Sequence, residues 1–209
     1  MLGIIRVLTT DDSNVLDEHS KQMKAFLGVD GKTECIDKQW KGIHDEKSEK
    51  EAVPKIVDLA NKMINTKQYK ALTISCAADP AVELLQVNKS IPIIGAGSAG
   101  ANIAKSLGAK IGVIGITREI PKPIENILNN NYVYKYNENI RKTNDLFNEN
   151  TKLSLYKTVN QLIEDGADVI LFACTGFSTI KLKKYLASYI NIPIIDLIEA
   201  QSIVYKALE

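Results

Sequence analysis

The chain uses one stretch twice, and this repetition constrains its fold more than any other feature. The first copy reads Leu72-Thr73-Ile74-Ser75-Cys76-Ala77-Ala78-Asp79-Pro80, and the second Ile170-Leu171-Phe172-Ala173-Cys174-Thr175-Gly176-Phe177-Ser178. In both, an apolar run ends on a small residue, a cysteine and another small residue. An amphipathic segment comes after each, Val82-Glu83-Leu84-Leu85 in the first and Ile180-Lys181-Leu182 in the second. Each copy then reaches the same tetrapeptide, Ile91-Pro92-Ile93-Ile94 and Ile192-Pro193-Ile194-Ile195. The pattern reads as strand, cysteine, helix, strand, made twice. Two halves that each place a thiol at a strand end suggest two thiols facing one pocket.

The remaining periodicity extends that reading. Gly3 to Leu8 is a β-branched run expected to form a buried strand, and Thr9 to Ser13 suit a turn and a helix cap. Leu16, His19, Met23, Phe26 and Leu27 recur at helical spacing. Thr33 to Asp37 is a second strand candidate containing Cys35, expected to pack as a small hydrophobe. Ser48 and Glu51 read as a capping box opening a helix, with Pro54 in its first turn. Strands are expected at 69–75, 91–94, 110–116, 132–136 and 169–173. Helices are expected at 78–87, from Gly95 to about Leu107, before Asn129, from Leu155 to Gly166 and from Leu197 to Leu208. Asn137 to Asn150 is polar and gives no clear pattern. Alternating short apolar strands and amphipathic helices argue α/β architecture with parallel sheets. Ligands of such sheets bind beyond the carboxyl ends of the strands. Cys76, Cys174, Thr9, Thr10 and Thr117 all fall there.

Composition narrows the function classes. The 209 residues are 45% hydrophobic and 24% charged, with a net charge of +1. No global field draws the protein to nucleic acid or to a membrane. No basic, apolar, small-residue leader pattern opens the chain. The apolar region from Ile91 to Ile116 is interrupted by Lys105 and Lys110 and does not read as a membrane span. Three cysteines match neither a disulfide framework nor a zinc site. Reduced cytoplasmic thiols are the expectation, which makes the acceptor-like Asn88-Lys89-Ser90 a chance match.

A thiol at a strand end before a helix lies near backbone N–H groups and the positive end of the helix dipole, a placement that favours thiolate. A thiolate serves as nucleophile or general base. The nucleophile reading wants an activating histidine, and the chain has only His19 and His44. His19 sits on an apolar stripe and is expected to be a packed, hydrogen-bonded core residue. His44 lies in the loop Trp40-Lys41-Gly42-Ile43-His44-Asp45. The acid–base reading needs no histidine. One thiolate removes a proton from a carbon beside a carbonyl, and a neutral thiol on the opposite face returns one. Inversion of this kind calls for two equivalent groups, which the repeat supplies.

At these residues the chain resembles the aspartate/glutamate/hydantoin racemase superfamily, and within it the hydantoin racemase-like branch. The motifs are Ser75-Cys76-Ala77-Ala78-Asp79-Pro80, Gly95-Ala96-Gly97-Ser98-Ala99-Gly100 and Ala173-Cys174-Thr175-Gly176, with Ile5-Arg6-Val7-Leu8-Thr9-Thr10 and Gly42-Ile43-His44-Asp45. The resemblance implies two pseudo-symmetric flavodoxin-like lobes, 1–96 and 97–196, with the active site between them. It also implies that a C-terminal helix, 197–209, returns to the first lobe. Members use no cofactor, neither pyridoxal phosphate nor metal, and homo-oligomers are common among them. By carry-over, Cys76 and Cys174 are the catalytic thiols. Thr117, Thr175 and the amides of Ala77, Ala78 and Gly176 would hold the substrate's carboxylate or carbonyl oxygen, with Thr9, Thr10 and Ser98 in support. The chain departs from the amino-acid racemases, which typically follow the first cysteine with Asn-Thr and the second with Thr-His or Thr-Glu. That departure favours a hydantoin-like or other carbonyl-activated substrate over glutamate or aspartate. Related decarboxylases keep only the second cysteine, and related maleate isomerases use cysteines differently.

Two other readings compete. Gly95 to Gly100 fits G-x-G-x-x-G between a strand and a helix, with Glu119 further on, as in nicotinamide- or flavin-dependent oxidoreductases. The alternative for these glycines is close packing where one lobe crosses to the next. A two-lobed binding protein with a small-molecule cleft would show the same alternation, without needing paired thiols.

Overall fold

The computed structural model describes all residues except 88, 89, 108, 109 and 141. Strand β1 (Leu2–Arg6) is followed by α1 (Ser13–Leu27), β2 (Gly31–Cys35), α2 (Glu46–Asn65), β3 (Ala71–Ser75), α3 (Val82–Val87) and β4 (Ile93–Gly95). Helix α4 (Ala96–Ser106) leads into β5 (Ile111–Gly115), α5 (Lys122–Leu128), β6 (Tyr132–Tyr136), a 3-10 turn (Thr143–Phe147) and α6 (Thr151–Glu164). Then come β7 (Val169–Phe172), α7 (Gly176–Thr179), α8 (Leu182–Leu186), β8 (Ile194–Ile195) and α9 (Leu197–Lys206).

The strands form two four-stranded parallel sheets, ordered β2-β1-β3-β4 and β6-β5-β7-β8. The two orders are the same, so the repeat in sequence is a repeat in topology. The inner strands β1, β3, β5 and β7 are buried along their whole length. Helices cover both sheet faces, which is why these strands read as continuous apolar runs. Helix α2 lays Ala52, Ile56, Ala60 and Met63 over Ile5, Leu72 and Ile74. Each large side chain buried this way contributes about 1.5–3 kcal/mol. Helix α9 crosses back to the first sheet, where Ile198, Ala200 and Tyr205 pack with Leu2, Ile4 and Met23. Gln201 of α9 donates from Nε2 to the carbonyls of Ile74 (3.1 Å) and Ile94 (3.3 Å). Among the described residues, no helix is long and apolar enough to cross a membrane.

Local departures from the sequence expectations have local causes. Helix α2 begins at Glu46, not at Ser48. Asp45 is its cap, accepting from the Ser48 amide at 2.7 Å, while Ser48 Oγ accepts from the Asp45 amide at 3.1 Å. Ser48 is thus the third helical residue rather than the cap, and Pro54 lies inside the helix, where its missing N–H leaves the Lys50 carbonyl without its usual donor. The helix expected from Ala78 begins only at Val82, because the preceding turn places Asp79 (φ 49°) and Ala81 (φ 63°) in the left-handed region. Gly166 ends the α6 segment at φ 90°, as its position after the periodic run indicates. Of the Asn88-Lys89-Ser90 match, positions 88 and 89 lie outside the described residues, and α4 ends at Ser106 with Leu107 as its cap, close to the expected end.

Candidate active site

The two cysteines come from equivalent places in the two halves. Cys76 comes directly after Ser75, the last residue of β3, and Cys174 lies just beyond β7. Strand pairing holds both termini in line. Ser75 is in register with Arg6 of β1, and the Ala173 amide donates to the Ile114 carbonyl of β5 at 2.8 Å. Residues at both strand ends, the two cysteines among them, line one cavity of about 700 Å³. The first half contributes Arg6, the 42–46 loop, Glu49 and residues 75–78; the second contributes residues 116–123, Thr143 and residues 173–176. The Thr175 hydroxyl donates to the Ser75 carbonyl at 3.0 Å and ties one cysteine loop directly to the other.

Both thiols are held neutral. Burial pushes the Cys174 thiol up to about 11, although the amides of Gly176 and Phe177 and the Arg6 guanidinium pull the other way. Burial raises Cys76 as well, opposed by the Ala78 amide, while the charges of Cys174, Asp79 and Glu49 add to the rise. The expected preference for thiolate is therefore overturned at this cleft. The dipole and amide contributions act in the anticipated direction, but loss of water outweighs them.

Of the residues singled out in the sequence, Ala77, Ala78, Thr117, Thr175 and Gly176 line the cavity together with Cys76 and Cys174. Thr9, Thr10 and Ser98 do not. Thr9 Oγ1 bonds the Ile36 carbonyl and accepts from the Gln39 amide at 2.7 Å, which makes it a brace between loops. Thr10 Oγ1 accepts from the Asp12 amide at 3.2 Å, at the start of α1. The Ser98 amide donates to Asp79 Oδ2 at 2.7 Å.

Asp79 also settles what the glycine-rich segment does. Its carboxylate accepts from the amides of Gly97 and Ser98, both at 2.7 Å, at the N-terminus of α4. Those are the donors that a pyrophosphate would use. The protein's own carboxylate occupies them. A side chain at Gly95 would strike Asp79 at 2.4 Å, and one at Gly97 would strike the Ala77 carbonyl at 2.0 Å. The glycines serve close approach of the Cys76 loop to α4, not a dinucleotide.

His19 is fully buried, with Nδ1 2.7 Å from Ser75 Oγ and Nε2 2.9 Å from Thr179 Oγ1. Burial, with the neighbouring Arg6 charge, holds it well below the usual histidine range. It is the hydrogen-bonded core residue its position indicates. His44 does line the cavity, and its Nδ1 is buried with no hydrogen-bond partner among the described residues.

Sequence reasoning missed Arg6 and Glu49 as cleft residues. Arg6 is only 3% exposed, and it lies at the end of an otherwise apolar strand. A cation in such a run was the available signal, since arginine is rarely buried without a reason. Glu49 carried no signal of its own, being one of several acids in the first turns of α2.

A family model described as "Asp/Glu/Hydantoin racemase" matches residues 35–202. Allantoin racemase from Klebsiella pneumoniae is similar in structure, with a TM-score of 0.80 at 15% identity, over 99% of this chain and 86% of that one. Allantoin racemase from Pseudomonas fluorescens gives 0.78 at 17% identity, over 99% and 89%. A glutamate racemase from Bacillus anthracis gives 0.69 at 17% identity, over 100% and 80%. A comparison with curated protein sequences finds no significant match. The structural similarities carry the two-lobed fold, and the family model spans both cysteine loops: the chain belongs to the Asp/Glu/hydantoin racemase family.

Proposed function

We propose that the protein is a cofactor-independent racemase or epimerase that inverts a carbon next to a carbonyl or carboxylate. The observation that carries this reading is that Cys76 and Cys174, from opposite lobes, line one cavity. One sulfur, as thiolate, takes the proton from one face of the carbon while the other, as thiol, delivers a proton to the opposite face. The negative charge that develops on the substrate oxygen is met by backbone amides of the cysteine loops, since the Thr175 and Thr117 hydroxyls already donate to the Ser75 and Glu119 carbonyls. The buried, mostly apolar surroundings of the thiols raise their basicity, which helps abstraction of a weakly acidic C–H.

The substrate we favour is hydantoin-like, or another amide or imide whose carbonyl acidifies the neighbouring C–H. Ala77 and Ala78 stand after the first cysteine where an amino-acid ammonium or carboxylate would need polar side chains. His44, in the cavity lining, adds an imidazole able to hydrogen-bond a ring N–H or carbonyl. The neighbours named as allantoin racemases are in keeping with this choice.

A circular-dichroism screen of single enantiomers of chiral hydantoins, allantoin, aspartate and glutamate tests it. We expect decay of signal for a cyclic ureide and incorporation of solvent deuterium at the stereocentre. Retention of the original hydrogen in both enantiomers during turnover would rule out the two-thiol reaction.

A further inference from the structure

The two cysteine sites are alike in backbone and unlike in charge. Arg6 ends β1 in the first half, and Gly115 ends β5 in the second. Both inner strands hold the same place in their sheets, so the first half offers a guanidinium where the second has no side chain. Space at Gly115 is filled by the Tyr134 ring, whose hydroxyl lies 2.2 Å from where a Cβ would stand.

The guanidinium is buried yet has no carboxylate partner within salt-bridge distance among the described residues. It donates to two neutral oxygens, the Val15 carbonyl and Thr179 Oγ1, the latter at 3.0 Å. Thr179 belongs to α7, the helix that starts beside Cys174. Glu18, the carboxylate in its field, pairs with Lys181 at 3.4 Å. A buried cation bonded only to neutral groups calls for an anion. Arg6 and Cys174 line the same cavity. The amides of Gly176 and Phe177 also converge on that sulfur, and a Cβ on Gly176 would stand 3.3 Å from it. Cys76 receives one amide, from Ala78, and faces two acids, Asp79 and Glu49. Cys35, Cys174 and Glu18 are the titratable groups acting on Arg6; His19 and Tyr134 are also in reach of the same charges.

We propose that Arg6 is a positioning residue that makes Cys174 the first of the two thiols to give up its proton, leaving Cys76 the more firmly protonated one. This rests on the two-thiol reading for its catalytic meaning: once the pair loses a proton, the enzyme abstracts from the Cys174 face and protonates from the Cys76 face. The charge bias itself is independent of any substrate.

Site-resolved alkylation by iodoacetamide, read by peptide mass at Cys35, Cys76 and Cys174, tests it on the full chain. Below its midpoint a thiol reacts in proportion to its thiolate fraction. Arg6→Gln should slow Cys174 about tenfold at fixed pH and leave Cys76 within about twofold. Arg6→Lys should restore most of the Cys174 rate. Glu49→Gln, at a part-exposed position that does not threaten folding, should speed Cys76 and not Cys174. Equal slowing of both thiols by Arg6→Gln in a folded variant, or no slowing of Cys174, would overturn the proposal. An unchanged alkylation pattern with a raised KM would also overturn it and make Arg6 a substrate-binding group. Because alkylation needs no turnover, absence of racemase activity on every substrate would sink the functional reading alone.

Discussion

The Cys76 loop and the Cys174 loop occupy the same place in two halves of one fold, but they are built differently. After Cys174 the chain enters α7 at once, and the amides of Gly176 and Phe177 turn back to the sulfur. After Cys76 it makes a turn with two left-handed residues, and the helix starts only at Val82. The turn after Cys76 is held from outside, by Asp79 reaching the amides of α4 and by the Ala77 carbonyl resting on Gly97. The thiols hold equivalent positions in the two halves, and their surroundings differ. Both sites resist charge on sulfur, Cys174 less than Cys76. A reversible inversion tolerates that difference, because the overall equilibrium between enantiomers does not depend on which sulfur rests as the base.

The largest effect should come from the sulfurs themselves. Cys76→Ser and Cys174→Ser are each expected to lower racemisation by about 10²–10⁴-fold, the usual contribution of a positioned acid or base. Polarimetry on a substrate found in the screen measures this. Single variants within severalfold of the parent would break the comparison at its root.

Next come the two glycines that support the loops. A methyl at Gly97 meets backbone, the Ala77 carbonyl at 2.0 Å, whereas at Gly176 it meets the Leu146 side chain at 2.4 Å and Cys174 Sγ at 3.3 Å. Gly97→Ala should cost about 1–3 kcal/mol in urea unfolding, and Gly176→Ala less, because a side chain gives way more easily than a carbonyl. Equal costs would mean the Cys76 loop is not pinned in the way described.

Thr175→Val removes the hydrogen bond that joins the loops and should cost about 1 kcal/mol, measured the same way. Its effect on rate should exceed that of Thr9→Val, since Thr9 braces a loop away from the cavity.

The subtlest expectation concerns pH. Burial pushes the Asp79 carboxyl up to about 6, against the pull of the amides of Ser98, Gly97 and Ala96. An acid raised above its unfolded value stabilises the fold at low pH and loses that contribution as pH climbs to its folded value. Parent stability should therefore fall, relative to Asp79→Asn, between about pH 4 and pH 6, and run parallel above that. A parallel course throughout would show that Asp79 titrates normally.

The sequence determined the α/β alternation, the two parallel halves and the pairing of Cys76 with Cys174. Those features come from apolar periodicity and from a repeat, which are local or self-referential and need no coordinates. It marked His19 as a core residue because its stripe was apolar. It misplaced the start of α2 by taking Ser48 as the cap, since aspartate and serine cap equally well and only φ/ψ geometry shows that Asp45 does so. It left the glycine segment open between packing and phosphate binding, because the competing ligand, Asp79, lies far along the chain and reaches the amides only through the turn after Cys76. The protonation state of the thiols was decided by tertiary structure alone. Helix dipoles can be inferred from where a residue sits in the chain, but desolvation and the field of Arg6 depend on how two lobes close over the sulfurs, and that is a property of space rather than of order.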